Sequence, residues 1–179
     1  MITKTEALVL RVTPYSRTSN VVTWLSPAGG KIITVIKGAN RPKSDFLGQY
    51  DLFQTCELLY YTRDRQGVHM VKECTPLEYR QNLHRDWRAA ALASYECDLV
   101  ARLSPEGGAD RRIYDLLTTA LGSLDRQGAS AEAVFWFELR LLEAFGVAPQ
   151  LNRCSLCGQP PEHFAGRWSF SVRQGGILC

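Results

Sequence analysis

Three cysteines late in the chain have the chemistry of a metal site. Cys154 and Cys157 form a C-x-x-C turn, and Cys179 follows after a gap of 21 residues. Such a turn holds two thiolates close together on a tight knuckle, as tetrahedral zinc requires, and a short ribbon can bring a distant ligand back to it. The run Trp168-Ser169-Phe170-Ser171-Val172 alternates as one strand of that ribbon would. A fourth cysteine is wanted three positions beyond Cys179. A water, His163 or a cysteine lost by truncation are the ways to complete the tetrahedron. A thioredoxin-like redox pair competes for the same motif, but it opens a helix after a strand, whereas this pair follows a helix end and Pro149. Cys56, Cys74 and Cys97 read as small buried hydrophobes.

A second chemistry lies in Lys31, Lys37, Arg41 and Lys43, four cations within thirteen residues. Gly38, Asn40 and Pro42 punctuate this stretch, so a β-branched strand feeds a basic loop. Clustered cations repel one another and gain from a polyanion whose counterions they release. The overall charge of +3 hides an asymmetry: residues 1–50 carry seven Lys/Arg against two Asp/Glu, and residues 51–179 carry fourteen against sixteen. The basic character is therefore N-terminal, and nucleic acid is the partner it fits. Tyr15 and Phe46, read as loop residues, could stack on bases, with Trp24 and Tyr50 also at hand; Trp24, inside a short strand, fits core packing better. The competing role for the loop is a solvated hairpin whose lysines discourage strand pairing.

These side chains need a scaffold. Five strand-like runs, 5–12, 21–25, 31–37, 53–61 and 68–74, are separated by turn signals, the last of them at 63–67. Five short strands in a basic segment fit a small barrel of the five-stranded oligonucleotide-binding type, the OB-fold. After Pro76 the period changes. Helices are expected over 86–103 and 110–125, and a third follows Gly128 with Ser130 as its N-cap; its run 134–142, apolar around most of the circumference, reads as a central buried helix. The expected class is α+β: an OB barrel over 1–80, a helical domain over 81–150, and a zinc-ribbon-like segment over 151–179. No apolar run approaches the ~18 residues of a membrane span and the start lacks a signal peptide, so a cytoplasmic protein that meets no membrane is expected.

Enzymatic motifs are missing. Residues 38–44 superficially match a P-loop, but Pro42 stands where a glycine amide should cradle phosphate and the loop is one residue short. Carboxylates at helical spacing, such as Asp110 and Asp115, stand beside arginines as surface pairs do. The chain is not expected to be an enzyme.

Phe137 through Glu143, then Gly146, Pro149, Leu151, Cys154-Ser155-Leu156-Cys157-Gly158 and the late Gly-Gly-Ile-Leu-Cys, together resemble the bacterial recombination mediator family RecO. Glu6 through Leu10 and Gly38 through Ser44 support the match. The resemblance implies an OB barrel followed by a helical domain interrupted by a zinc knuckle. It implies ATP-independent binding of single- and double-stranded DNA, annealing of complementary strands, and help in loading RecA, with RecR and single-strand DNA-binding protein as partners. Family members continue past this point and carry the fourth cysteine, so the chain reads as truncated. The alternatives are a scaffold that presents surfaces to proteins and an RNA-binding barrel.

Overall fold

Strand β1, Ile2–Ser16, is long enough to serve two neighbours. Its first half pairs antiparallel with β4, Thr55–Tyr61, from Ile2↔Tyr61 to Leu8↔Thr55. Its second half pairs with β2, Ser19–Ser26, from Leu8↔Leu25 to Ser16↔Ser19, and a register shift between Val9 and Arg11 bends it from one partner to the other. β3, Gly30–Ile36, continues antiparallel to β2. β5, His69–Glu78, runs antiparallel to β4 and touches β3 in parallel at Thr34↔His69 and Val35↔Met70. The sheet thereby closes in the order β1-β2-β3-β5-β4, a five-stranded barrel. The structure is a computed structural model that describes residues 1–62, 67–164 and 166–179. Residues 63–66 of the turn read before β5 lie outside the described residues.

The barrel core follows the strand period. Ala7, Val9, Val22, Trp24, Ile32, Ile36, Leu58 and Val71 point inward and are buried. Trp24 is wholly buried, its indole N–H donating to Thr34 Oγ1 at 2.8 Å, so it is core and not a platform. Pro76 does not end β5: it lies opposite Cys56 beside a register shift, where a missing amide costs no ladder bond. Arg80 is buried and its guanidinium donates to the Phe53 carbonyl (2.6 Å) and Thr55 Oγ1 (3.2 Å).

Helix α1, Trp87–Leu103, starts where the Asp86 carboxylate accepts from the Arg88 amide, and α2, Arg111–Gln127, starts with the same bond from Arg112 to Asp110. Both pack on the barrel's outer wall, which explains why Leu8 and Leu10, on the face opposite Ala7 and Val9, are also buried. Lys31 takes part in this joint. Its ammonium donates to the Ala101 carbonyl (3.0 Å), and a Cβ on neighbouring Gly30, at φ +62°, would collide with the Gly108 carbonyl. Barrel and first two helices make one compact unit, Met1–Val134; the second is Phe135–Cys179.

Helix α3, Ala131–Ala144, is capped by Ser130, which accepts from the Ala133 amide at 3.2 Å. It is not the central buried helix that its composition predicts. Only Phe137 and Leu141, four apart on one face, are buried, while Phe135, Trp136, Leu139 and Leu142 are 40–64% exposed. An apolar circumference is buried only where neighbours cover it, and among the described residues one face is covered. Beyond α3, strands β6, Ser169–Ser171, and β7, Gly176–Leu178, form a two-stranded ribbon. No helix among the described residues is long and apolar enough to cross a membrane.

Candidate nucleic-acid interface and cysteine cluster

The basic loop leaves β3 at Lys37 and is fastened at its base. Gly38, at φ +71°, gives its amide to Ser19 Oγ (3.3 Å), and the Asn40 amide bonds to the Thr18 carbonyl (3.2 Å). The Asn20 and Asn40 side-chain amides exchange bonds of 3.2 Å, and Asn20 also donates to Tyr50 Oη at 2.9 Å. Ala39 drops into the barrel core, with Phe46, Tyr50 and Leu52 packed on the same core. The thiols of Cys56 and Cys74 both donate to the Gln49 carbonyl, at 3.6 and 3.4 Å. Segment 46–52 thus stoppers one end of the barrel, and Lys37, Arg41 and Lys43 stand exposed on a loop that the stopper and asparagine pair hold in place.

The described cations of residues 1–80 sort into two groups. Lys4 pairs with Glu57, Arg11 with Asp98, Lys72 with Glu73 and Arg80 with Glu78, while Lys31 is bonded to a carbonyl. Among the described residues, those left without an ion pair are Arg17, Lys37, Arg41 and Lys43. All four sit on the β1–β2 turn or the loop after β3, which the Asn40–Thr18 bond joins. Lys31 is not with them, because the length of β3 puts it about 20 Å from Lys37. Beside the free cations, a groove of about 550 Å³ has Val21 and Val35 in its lining and Tyr15, Lys37, His69 and Met70 around them. Tyr15 belongs to the end of β1 and not to a loop, and it is 68% exposed. Phe46 lies in turns but is half-buried against the core, so it seats the loop and is not a free ring. The Tyr60 and His69 rings meet at a tilt of 34°, 5.2 Å between centroids.

Sequence reasoning missed Arg17 and His69. Each stands alone in the sequence, and only the β1–β2 turn and the parallel β3–β5 pairing bring them to this end of the barrel.

In the second unit, the Cys154, Cys157 and Cys179 sulfurs lie within 4.8 Å of one another, and His163 is not among them. Cys179 Sγ is 3.7 Å from both Cys154 Sγ and Cys157 Sγ. Zinc–thiolate bonds of about 2.3 Å in a tetrahedron put sulfurs about 3.8 Å apart, so this spacing fits a metal centre. Amides of Cys157, Cys179 and Leu156 aim at the Cys154 sulfur and hold its pKa down to about 6, so it is a thiolate near neutrality. The Cys179 thiol, held chiefly by hydrogen bonds with the Cys157 and Cys154 sulfurs, is pushed up to about 11. Local packing builds this cradle. Gly158, at φ +75°, turns the knuckle and donates to the Cys154 carbonyl (2.9 Å), the Ser155 amide bonds to the Ile177 carbonyl (2.8 Å), and Gly176 leaves no room for a Cβ against Gln150. Three soft donors on one side can hold a metal ion and leave a fourth position open.

Two family descriptions match the chain, "Recombination protein O N terminal" over residues 1–80 and "Recombination protein O C terminal" over residues 84–179. The DNA repair protein RecO of Alkaliphilus metalliredigens is 31% identical over the whole chain and 71% of its own length. That of Exiguobacterium sibiricum is 33% identical over the whole chain and 70% of its own length. That of Desulforudis audaxviator is 34% identical over 98% of the chain and 68% of its own length. The chain spans 60–71% of the length of such relatives. With the closed five-stranded barrel, the helices after it and the cysteine cluster, these matches establish that the chain belongs to the RecO family of DNA repair proteins.

Proposed function

We propose that this protein is a non-enzymatic recombination mediator in DNA repair, whose barrel binds single- and double-stranded DNA at its loop end. The observation that carries the reading is the segregation of cations among the described residues: those on the barrel with an acidic or carbonyl partner are spread over its walls, and Arg17, Lys37, Arg41 and Lys43 are left free together. Phosphates are the ligand that unpaired lysines and arginines on a glycine-bearing loop recognise. Tyr15, standing free beside the apolar groove, supplies a ring on which a base can stack. Lys31 serves the site by joining the barrel to α1, and Phe46 by seating the loop.

Neutralising backbone charge lets two complementary strands approach, so annealing needs no nucleotide hydrolysis, and the proline in 38–44 removes an amide that an ATP site would use. Family membership supports the wider assignment: cooperation with RecR and single-strand DNA-binding protein in loading RecA, in the cytoplasm. The cysteine cluster holds a structural zinc. Its four-coordinate preference and soft-donor affinity match three thiolates with one open position, and when bound it cross-links the knuckle to β7. Annealing tests the function. Mixing complementary oligonucleotides with purified protein should speed duplex formation without ATP, and an unaltered rate, or an ATP requirement, contradicts the reading.

A further inference from the structure

The ribbon leaves an aromatic strip bare beside the cysteine cluster. Trp168 and Phe170 alternate along β6 and its N-terminal flank, so they share one side of the strand, and Val172 follows in the turn; the three are 66%, 51% and 87% exposed. Phe170 lies opposite Ile177, which is buried against Cys154 and Phe164, so the strip is continuous with the core that braces the cluster. Arg167 precedes the strip and Arg173 follows it in the β6–β7 turn; both are exposed, and neither has an ion pair among the described residues. Residues 146–179 hold three arginines against one acidic residue, Glu162.

We propose that this aromatic strip, with its two flanking arginines, is a second nucleic-acid binding face that takes unpaired bases of a single strand. Bare rings on a basic ribbon are what an unstacked base and its phosphates recognise, through stacking and charge. Trp168 and Phe170 stand two residues apart, about 7 Å along the strand, close to the advance of one nucleotide in an extended single strand. A duplex, whose bases are already stacked, offers these rings nothing. Nor does a second copy suit the face, since a two-fold interface tends to bring arginines toward their own kind. The strip belongs to the second compact unit and the basic loop to the first, so the residues of each can be altered independently.

Oligo(dT) titrations of protein purified without chelator test it, with Trp168 emission read as the difference between the parent and Trp168→Phe. Binding should quench that emission, and quenching should persist when Lys37, Arg41 and Lys43 are alanine. Trp168→Phe should bind nearly as the parent does, and Trp168→Ala about tenfold more weakly. Arg167→Ala with Arg173→Ala should lower the slope of log affinity against log salt by about 1.4. Metal content serves as the folding control; if Trp168→Ala loses metal, the arginine pair decides, since neither residue belongs to the ribbon core. Unchanged slope and silent Trp168 emission overturn the proposal. So does an arginine variant that alters self-association and leaves DNA affinity untouched.

Discussion

Glu96 should make the folded unit lose stability as pH rises. Its side chain lies on the buried face of α1, 1% exposed, and one carboxyl oxygen lacks a hydrogen-bond partner among the described residues. Burial pushes its pKa up from 4.5 to about 8. Below pH 4.5 the carboxyl is protonated in both folded and unfolded chains and the full stability is present. Between 4.5 and 8 the unfolded chain ionises while the folded one holds its proton, so stability falls by about 1.4 kcal/mol per pH unit. Above 8 both are ionised and the loss levels off near 5 kcal/mol, about 1.4 times 3.5 units, an upper bound because buried sites relax. Glu96→Gln keeps the shape and removes the titration. Urea unfolding of both proteins at pH 4, 6 and 8 is the assay, and their difference cancels the thiols and carboxylates they share. The variant should gain on the parent by up to about 5 kcal/mol between pH 4 and 8. Parallel stability curves would refute the buried, neutral Glu96.

Other outcomes follow from the two sites. Asn40→Ala removes the exchanged amide pair with Asn20 and should cost about 1–2 kcal/mol of loop anchoring. DNA affinity should then fall with no change in salt slope, because every charge remains; a lowered slope would count against a purely anchoring role. Cys154→Ser removes the thiolate that three amides face. Metal content should drop and amide exchange should quicken within 150–179, with barrel exchange unchanged; intact metal stoichiometry would exclude Cys154 as a ligand.

Much of this architecture was legible in the sequence where a signal is local. Five strand-like runs between turn residues gave five strands, and Asp86, Asp110 and Ser130 marked three helix starts. The C-x-x-C spacing with a distant Cys179 gave the cluster. What was not legible depends on pairing at a distance. The end of β1, from Thr13 to Ser16, is polar and exposed, so it reads as a loop until β2 folds back on it. The same pairing moves Tyr15 onto a strand. Lys31 looks equivalent to Lys37 in the sequence, yet they lie near opposite ends of β3, and only the docking of α1 ties one of them to a carbonyl. The apolar circumference of α3 signals a wish for partners and cannot say how many it has. Arg80 shows the converse, a charged residue whose burial depends on carbonyl and hydroxyl groups some 25 residues away in the chain.

The central claim is that free cations at the loop end of the barrel bind DNA backbone. Single-strand affinity measured across a salt series, for the parent and for Lys37→Ala/Arg41→Ala/Lys43→Ala, tests it directly. With folding confirmed, the variant should bind more weakly and its log–log salt slope should shrink by about two, near 0.7 for each single-strand phosphate it no longer neutralises. An unchanged slope in a folded variant would contradict the claim and leave the loop a solvated turn.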